Sequence, residues 1–456
     1  MPAEKNLALL TYGCQMNKYD SERIYGVLQK SGIRLTDNLE NADIIIVNTC
    51  SIREKAEQKV YSQLGRLTPF KKKNPNLIIG VGGCVAQIQG EKILQRSPCV
   101  DLVFGTLNIH NLPHLIQCIE EKREKIADIH NDHNVEEDSI PIQREGNVHA
   151  WVSIIQGCNN YCTYCIVPYT RGRERSRDEE SILSEIRDLT ELGFKEITLL
   201  GQNVNSYGRD RDNGIDFPDL LSMINKIDGI ERIRFITSHP KDISDKLIEA
   251  IADLSKVCEY LHLPVQAGSD KVLYKMNRGY TSQDYLKTID KVKKNIPEIA
   301  LSTDIIVGFP GETAEDFEGT KDVIKSVQYD GIYLFKYSLR TETPAAKFPD
   351  QVSDEVKQAR FEEILELQKG ITLGKNKKLE GSIVEVLVEG KSKNDNRKFT
   401  GRTRTNKIVN FVMAPYLNYV RGNSSQSNND LAGRLIHVKI IKGNLYSLEG
   451  IINNNQ

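Results

Sequence analysis

The sequence predicts an α/β chain in three parts. An N-terminal doubly wound parallel sheet is expected over residues 1–121, a central partial (β/α)6 barrel over 147–373, and a small all-β barrel over 374–456, with a linker at 122–146. Three observations lead there. At 456 residues, 39% hydrophobic and 27% charged, the chain is globular in composition and too long for one ordinary domain. Short apolar runs alternate with amphipathic helical patterns, first over about 120 residues and again beyond residue 150. Past residue 373 the pattern changes to short strands separated by Gly, Asn and basic residues.

In the first part, residues 7–11, 43–48 and 77–81 are apolar runs of the kind found in buried parallel strands. A helical pattern at 21–31, closed by Gly32, lies between the first two. Cys14, Cys50 and Cys84 each fall within three residues of the end of one of these runs. A parallel sheet brings the carboxyl ends of its strands to one edge, where ligands bind. The three cysteines therefore read either as a converging triad or as ordinary buried cysteines. The linker is charged and irregular; its His130 and His133 are expected to be solvated rather than metal-bound.

Six strands are expected in the second part, at 151–155, 196–200, 232–236, 260–263, 300–307 and 331–335. Helices separate them; residues 179–192 place Ile182, Leu183, Ile186, Leu189 and Leu192 on one face and end at Gly193. The first strand runs straight into a loop holding Cys158, Cys162 and Cys165, at the carboxyl face where barrel active sites lie. A helix at 354–373 leads to the last part, with strands at 383–388 and 435–441 and a mobile Asn/Ser-rich loop at 422–430.

Bulk properties narrow the function. No apolar run approaches the ~20 residues of a membrane span, and the N-terminus has no secretory pattern. Nine cysteines, an odd number, argue for a reducing cytoplasm with thiolates as ligands rather than a disulfide framework. A monomer without membrane attachment is expected. The net charge of −1 hides an asymmetry: residues 374–456 carry fourteen Lys/Arg against six Asp/Glu, a local +8, which leaves −9 elsewhere. A polyanionic partner fits the basic end.

The cysteine loop carries the chemistry. A structural zinc site wants four ligands and is closed, and a cubane iron–sulfur cluster normally takes four thiolates. Cys158-x3-Cys162-x2-Cys165 supplies three, leaving one iron open to a group that is not protein. With Tyr164 just before the last cysteine, this resembles the signature of the radical S-adenosylmethionine enzymes, in which the open iron chelates S-adenosylmethionine.

The resemblance extends along nearly the whole chain. Tyr12-Gly-Cys-Gln-Met-Asn, Asn48-Thr-Cys-Ser-Ile-Arg-Glu and Gly83-Cys-Val-Ala-Gln resemble the N-terminal motifs of the methylthiotransferases. The segment from Gly157 to Glu174, with Leu263-Pro-Val-Gln-Ala-Gly-Ser and Asn277-Arg-Gly-Tyr-Thr, is similar to the radical core of their tRNA branch, and the basic tail resembles the TRAM RNA-binding barrel. One departure is Glu342, where the family is expected to carry Gly.

The resemblance implies two 4Fe-4S clusters: an auxiliary one on Cys14, Cys50 and Cys84, and a radical one on Cys158, Cys162 and Cys165. It implies two S-adenosylmethionine molecules per turnover, a low-potential electron donor, a sulfur source and a tRNA substrate. The adenosine modified would carry an isopentenyl group and gain a methylthio group at carbon-2. Such a reaction is cofactor-driven, with no protein side chain as the chemical catalyst.

Other residues have two readings each. Tyr164 either packs on the adenine of S-adenosylmethionine or shields the cluster. Gly308 and Gly311 either approach that cofactor or form a plain βα turn. Arg171, Arg173, Arg175 and Arg177 suit phosphate contacts or a solvated face, and Arg402 and Arg404 are expected to contact RNA. Cys99, Cys118 and Cys258 are read as packing residues. Rival functions are a methylthiotransferase acting on threonylcarbamoyl-adenosine or on a ribosomal protein, and a non-catalytic iron–sulfur RNA-binding regulator.

Overall fold

A computed structural model of the chain describes residues 4–50, 55–129, 140–144, 146, 148–412 and 431–452. His130, His133 and the 422–430 loop lie outside the described residues.

The N-terminal sheet contains β1 (Lys5–Thr11), β2 (Ile33–Leu35), β3 (Ile44–Thr49), β4 (Ile78–Gly83), β5 (Leu102–Phe104) and β6 (Ile126–Asp128). All pairings are parallel, in the order β2-β1-β3-β4-β5-β6. β3 and β4 are buried at every position, because helices cover both faces. Ile44, Ile46 and Ile78 pack toward the helices Gln15–Gln29 and Leu112–Lys122, while Ile45, Val47 and Ile79 pack toward Lys55–Lys73. The chain leaves β1 for β2 on one side and returns to β3 on the other, so the β1/β3 boundary is a topological switch point. β6 falls within the stretch expected to be linker, so the sheet runs on to Asp128.

The second part begins with β7 (His149–Ser153). β8 (Ile155–Gln156) and β9 (Arg175–Ser176) then pair antiparallel and bracket the cysteine loop. β10 (Glu196–Leu200), β11 (Arg232–Phe235), β12 (Tyr260–His262), β13 (Ala300–Val307) and β14 (Gly331–Lys336) follow. Two parallel sheets, β7-β10-β11 and β12-β13-β14, are joined by a bridge from Ile233 to Val257, giving the expected partial barrel with β7 and β14 as its edges.

The 24-residue helix Asp354–Lys377 leads to a closed barrel of β15 (Ile383–Lys391), β16 (Phe399–Thr403), β17 (Ile408–Val412), β18 (Leu435–Gly443) and β19 (Leu448–Ile452). Val386, Val388, Val409, Phe411, Val438 and Leu448 fill it. The turn after β16 docks on the base of the larger barrel. Arg234 donates to the carbonyls of Thr403 and Arg404, each at 2.7 Å, and Arg232 to that of Arg402 at 2.6 Å. Arg404 in turn donates to Glu259 and to the Val257 carbonyl.

This docking corrects one expectation: Arg404 is spent on holding the two barrels together. Arg402 is half-buried, paired with Glu389 at 2.8 Å and donating to Asn406 Oδ1 at 3.2 Å. Among the described residues, no helix is long and apolar enough to cross a membrane.

Candidate active site

Backbone geometry gathers the first triad. Cys14 is the N-cap of the helix Gln15–Gln29, Cys84 is the first residue of the helix Cys84–Gln89, and Cys50 directly follows β3. Gly13 (φ 141°) and Gly83 (φ 89°) precede two of them in conformations that side chains rarely adopt. A Cβ at Gly13 would collide with Cys50 and Asn17, and one at Gly83 with the Thr49 carbonyl. Asn17 and Asn48 lock the loops: Asn17 donates to the Thr49 carbonyl at 2.9 Å and Asn48 to the Asn17 carbonyl at 2.8 Å. Cys14 Sγ donates to Asn17 Oδ1 at 3.3 Å.

The second triad is pinned from several sides. Thr163 donates to the Lys275 carbonyl, and Asn277 to the carbonyls of Asn160 and Tyr161. Arg278, 4% exposed, donates from Nη1 to Cys162 Sγ at 3.3 Å. The Tyr164 hydroxyl lies 3.5 Å from the same nitrogen.

Cys14 and Cys84 of the first triad and all three cysteines of the second line one cavity of about 690 Å³ at the carboxyl ends of the parallel strands. Cys50 lies behind Cys14 and is hydrogen-bonded to it, which lowers the Cys14 thiol to about 6, helped by the Arg171 charge against the effect of burial. Burial pushes Cys158 up to about 11 and Cys165 up to about 12, the latter reinforced by Cys162. Buried thiols this close together ionise together only when a cation joins them. Among the described residues no three His, Cys, Asp or Glu side chains are grouped to hold a single metal ion. Three thiolates in each triad fit a 4Fe-4S cluster with one iron left to a ligand that is not protein.

The cavity also has unused polar atoms. Ser238 Oγ, His239 Nε2, Gln266 Oε1 and Tyr337 Oη are buried with no hydrogen-bond partner among the described residues. Burial, with the Arg278 charge, pushes His239 down to about 2. Its Nδ1 accepts from the Lys241 amide at 3.3 Å, so the neutral ring carries its proton on Nε2. Thr237 (φ 70°) and Gln266 (φ 72°) are strained non-glycine residues beyond β11 and β12; strain of this kind collects at ligand sites. A zwitterionic, hydroxyl-bearing ligand such as S-adenosylmethionine suits these groups.

Several sequence expectations change here. Arg171 and Arg177 are buried and cannot contact phosphate: Arg171 pairs with Asp20 at 2.6 Å, and Arg177 with Glu185 at 2.7 Å. Arg173 is exposed and Arg175 half-buried. Gly308 and Gly311 do not line the cavity; the Gly308 amide donates to Glu312, which also pairs with Arg360, closing a plain βα turn. Glu342 sits exposed on a turn without positive φ, so no glycine is required there. Asn17, Asn48, Asp20 and Arg278 were missed as contributors. Asn17, Asn48 and Arg278 stand inside the quoted motifs, but nothing in sequence shows which side chains face a cysteine.

Comparisons with known proteins agree with this geometry. Residues 152–324 match the Radical SAM superfamily, residues 6–105 the uncharacterized protein family UPF0004, and residues 377–452 the TRAM domain. The tRNA-2-methylthio-N(6)-dimethylallyladenosine synthase of Carboxydothermus hydrogenoformans is 50% identical over 452 residues, covering 99% of this chain and all of that protein. The protein of the same name from Thermoanaerobacter pseudethanolicus is 53% identical over 442 residues, 96% of this chain and 91% of that one.

Among solved structures, the radical S-adenosylmethionine methyltransferase TsrM from Kitasatospora setae shares the fold at a TM-score of 0.57 and 13% identity, with 75% of each chain covered. The radical enzyme OxsB aligns at 0.51 and 15% identity, covering 80% of this chain and 56% of that one. With identity this high over full length, the chain belongs to the tRNA-2-methylthio-N(6)-dimethylallyladenosine synthase family of radical S-adenosylmethionine methylthiotransferases.

Proposed function

We infer that this enzyme places a methylthio group on carbon-2 of isopentenyl-adenosine beside the tRNA anticodon. The observation that carries the reading is one cavity lined by cysteines of both triads, Cys14 and Cys84 with Cys158, Cys162 and Cys165. An adenine C2–H has no acidic proton and no leaving group, so acid–base and nucleophilic catalysis have no purchase. A 4Fe-4S cluster with S-adenosylmethionine supplies one-electron sulfonium cleavage and hence a carbon radical able to take that hydrogen.

Cys158, Cys162 and Cys165 would hold this cluster, while Cys14, Cys50 and Cys84 would hold a second that presents sulfur. Ser238, His239 and Gln266 offer hydrogen bonds that orient S-adenosylmethionine, and Tyr164 walls the cavity beside the cysteines. A second S-adenosylmethionine would methylate the sulfur, and a low-potential electron donor and a sulfur source complete the turnover. Relatives 50–53% identical to the chain are named for dimethylallyladenosine, which favours that substrate over threonylcarbamoyl-adenosine or a ribosomal protein.

The test is nucleoside mass spectrometry of tRNA from cells lacking the protein. Loss of the 2-methylthio derivative with accumulation of isopentenyl-adenosine is expected. Loss of a methylthio-threonylcarbamoyl nucleoside instead would overturn the substrate. A non-catalytic regulator would form no 5′-deoxyadenosine on anaerobic reduction with S-adenosylmethionine.

A further inference from the structure

Each triad has one buried arginine beside it, and the two are balanced differently. Arg171, 3% exposed, is carried on the helix Val167–Arg171 just past the second triad, yet lies against Cys84 and Cys14 of the first. It donates to Asp20 Oδ2 at 2.6 Å, and Asp20 is itself 2% exposed. The cation is matched by this carboxylate, which Arg23 Nη1 approaches only to 3.9 Å. Arg278 donates instead to Cys162 Sγ, to the Pro264 carbonyl at 2.7 Å and to the Tyr280 hydroxyl at 2.8 Å. Among the described residues it has no carboxylate partner. A buried guanidinium without a counter-charge is expensive to keep, which calls for something electron-rich beside it.

We propose that this asymmetry sets the order in which the two clusters accept an electron: the unmatched charge of Arg278 makes the radical site the easier to reduce, and Asp20 cancels the same effect of Arg171 at the sulfur-presenting site. The inference rests on the two-cluster reading. Reduction takes one electron from a low-potential one-electron donor and forms or breaks no bond, so it adds one negative charge to the site that receives it. A full positive charge a few ångströms away stabilises that charge strongly at low dielectric, whereas an ion pair offers only a dipole. N–H to sulfur hydrogen bonding acts in the same direction. Arg278 is thus a positioning residue for the electron. It directs the electron to where S-adenosylmethionine is cleaved and away from a site where no cleavage follows.

The experiment uses the full chain, reconstituted anaerobically with iron and sulfide and titrated with titanium(III) citrate without S-adenosylmethionine. Electron paramagnetic resonance follows each site, with triad-to-Ala variants assigning the signals. In the wild type the radical site should reduce first. In Arg278→Gln its midpoint should move negative, so that its reduced fraction at fixed potential falls at least about tenfold, with the auxiliary midpoint unmoved. Arg278→Lys should restore most of the shift, because the charge remains. Asp20→Asn should raise the auxiliary midpoint toward the other, an arm independent of whether Arg278→Gln folds.

Unmoved midpoints in Arg278→Gln with both sites iron-loaded would overturn the proposal. An auxiliary site that reduces first in the wild type would do the same. Weakened S-adenosylmethionine binding with an unchanged midpoint would make Arg278 a cofactor anchor and also overturn it. Wild-type protein holding the iron of only one cluster would sink the two-cluster reading instead.

Discussion

At the scale of single residues, the three thiols of the radical loop are not interchangeable with the surrounding wall. Cys162 accepts from Arg278, and Cys158 and Cys165 are held protonated by burial until a cation joins them. Replacing Cys158 with Ala should therefore abolish 5′-deoxyadenosine formation and remove about half of the iron from reconstituted protein, since one of two clusters loses a ligand. Undiminished S-adenosylmethionine cleavage, measured by chromatography of the nucleoside product, would contradict the ligand assignment. Gly13 offers the complementary case. Gly13→Ala forces a side chain against Cys50 at a φ of 141°, so the auxiliary site should lose its iron while cleavage continues.

Elements show where sequence reading succeeds and where it stops. The six strands of the partial barrel, and three of the six in the first sheet, lie within two residues of their apolar runs; β3 and β4, buried at every position, show why, since strands covered on both faces read as hydrophobic stretches. β2, β5 and β6 have three residues each and escape notice, although β12, no longer, is found because its apolar run continues to Leu263. The first helix begins at Gln15 rather than at 21. Its early turns bury Asn17 and Asp20, polar side chains committed to the site, which breaks the apolar periodicity. Asp20 and Arg171 stand 151 positions apart, a pairing that only the fold reveals.

The basic tail was legible as a barrel but not as a docked one. Arg234 and Glu196, each 5% exposed, pair at 2.9 Å beneath the Thr403 and Arg404 carbonyls. Arg234→Met should cost about 3–5 kcal/mol, the usual loss when one partner of a buried pair is removed, read as a lowered denaturation midpoint of the full chain. Lys391, Lys393 and Arg397 are exposed, Arg397 in a surface pair with Asp395 at 3.0 Å that phosphate can outcompete. Changing all three to Ala should make the salt dependence of tRNA binding shallower by about one unit of slope per lost contact. Arg404→Ala should leave that slope unchanged.

At the scale of the whole molecule, two independently cored domains share one cavity. Arg171–Asp20 at 2.6 Å ties them together, Arg144 of the linker pairs with both Glu22 and Glu185, and Thr106 donates to the Thr170 carbonyl at 2.7 Å. Each triad nevertheless stands at the carboxyl edge of its own sheet, with its own clamping residues. Cores of this kind assemble separately, so the sites should be separable by mutation. Replacing Cys14, Cys50 and Cys84 together with Ala should remove about half of the iron and spare reductive cleavage of S-adenosylmethionine. The tRNA should keep its isopentenyl-adenosine and gain no methylthio group, because nothing presents sulfur to the radical. Three buried packing cysteines would give a different result, a general loss of stability with any surviving enzyme still making product. Mass spectrometry of the tRNA nucleosides beside quantified 5′-deoxyadenosine separates the two, and normal methylthio product from the triple variant would refute the sulfur-presenting role.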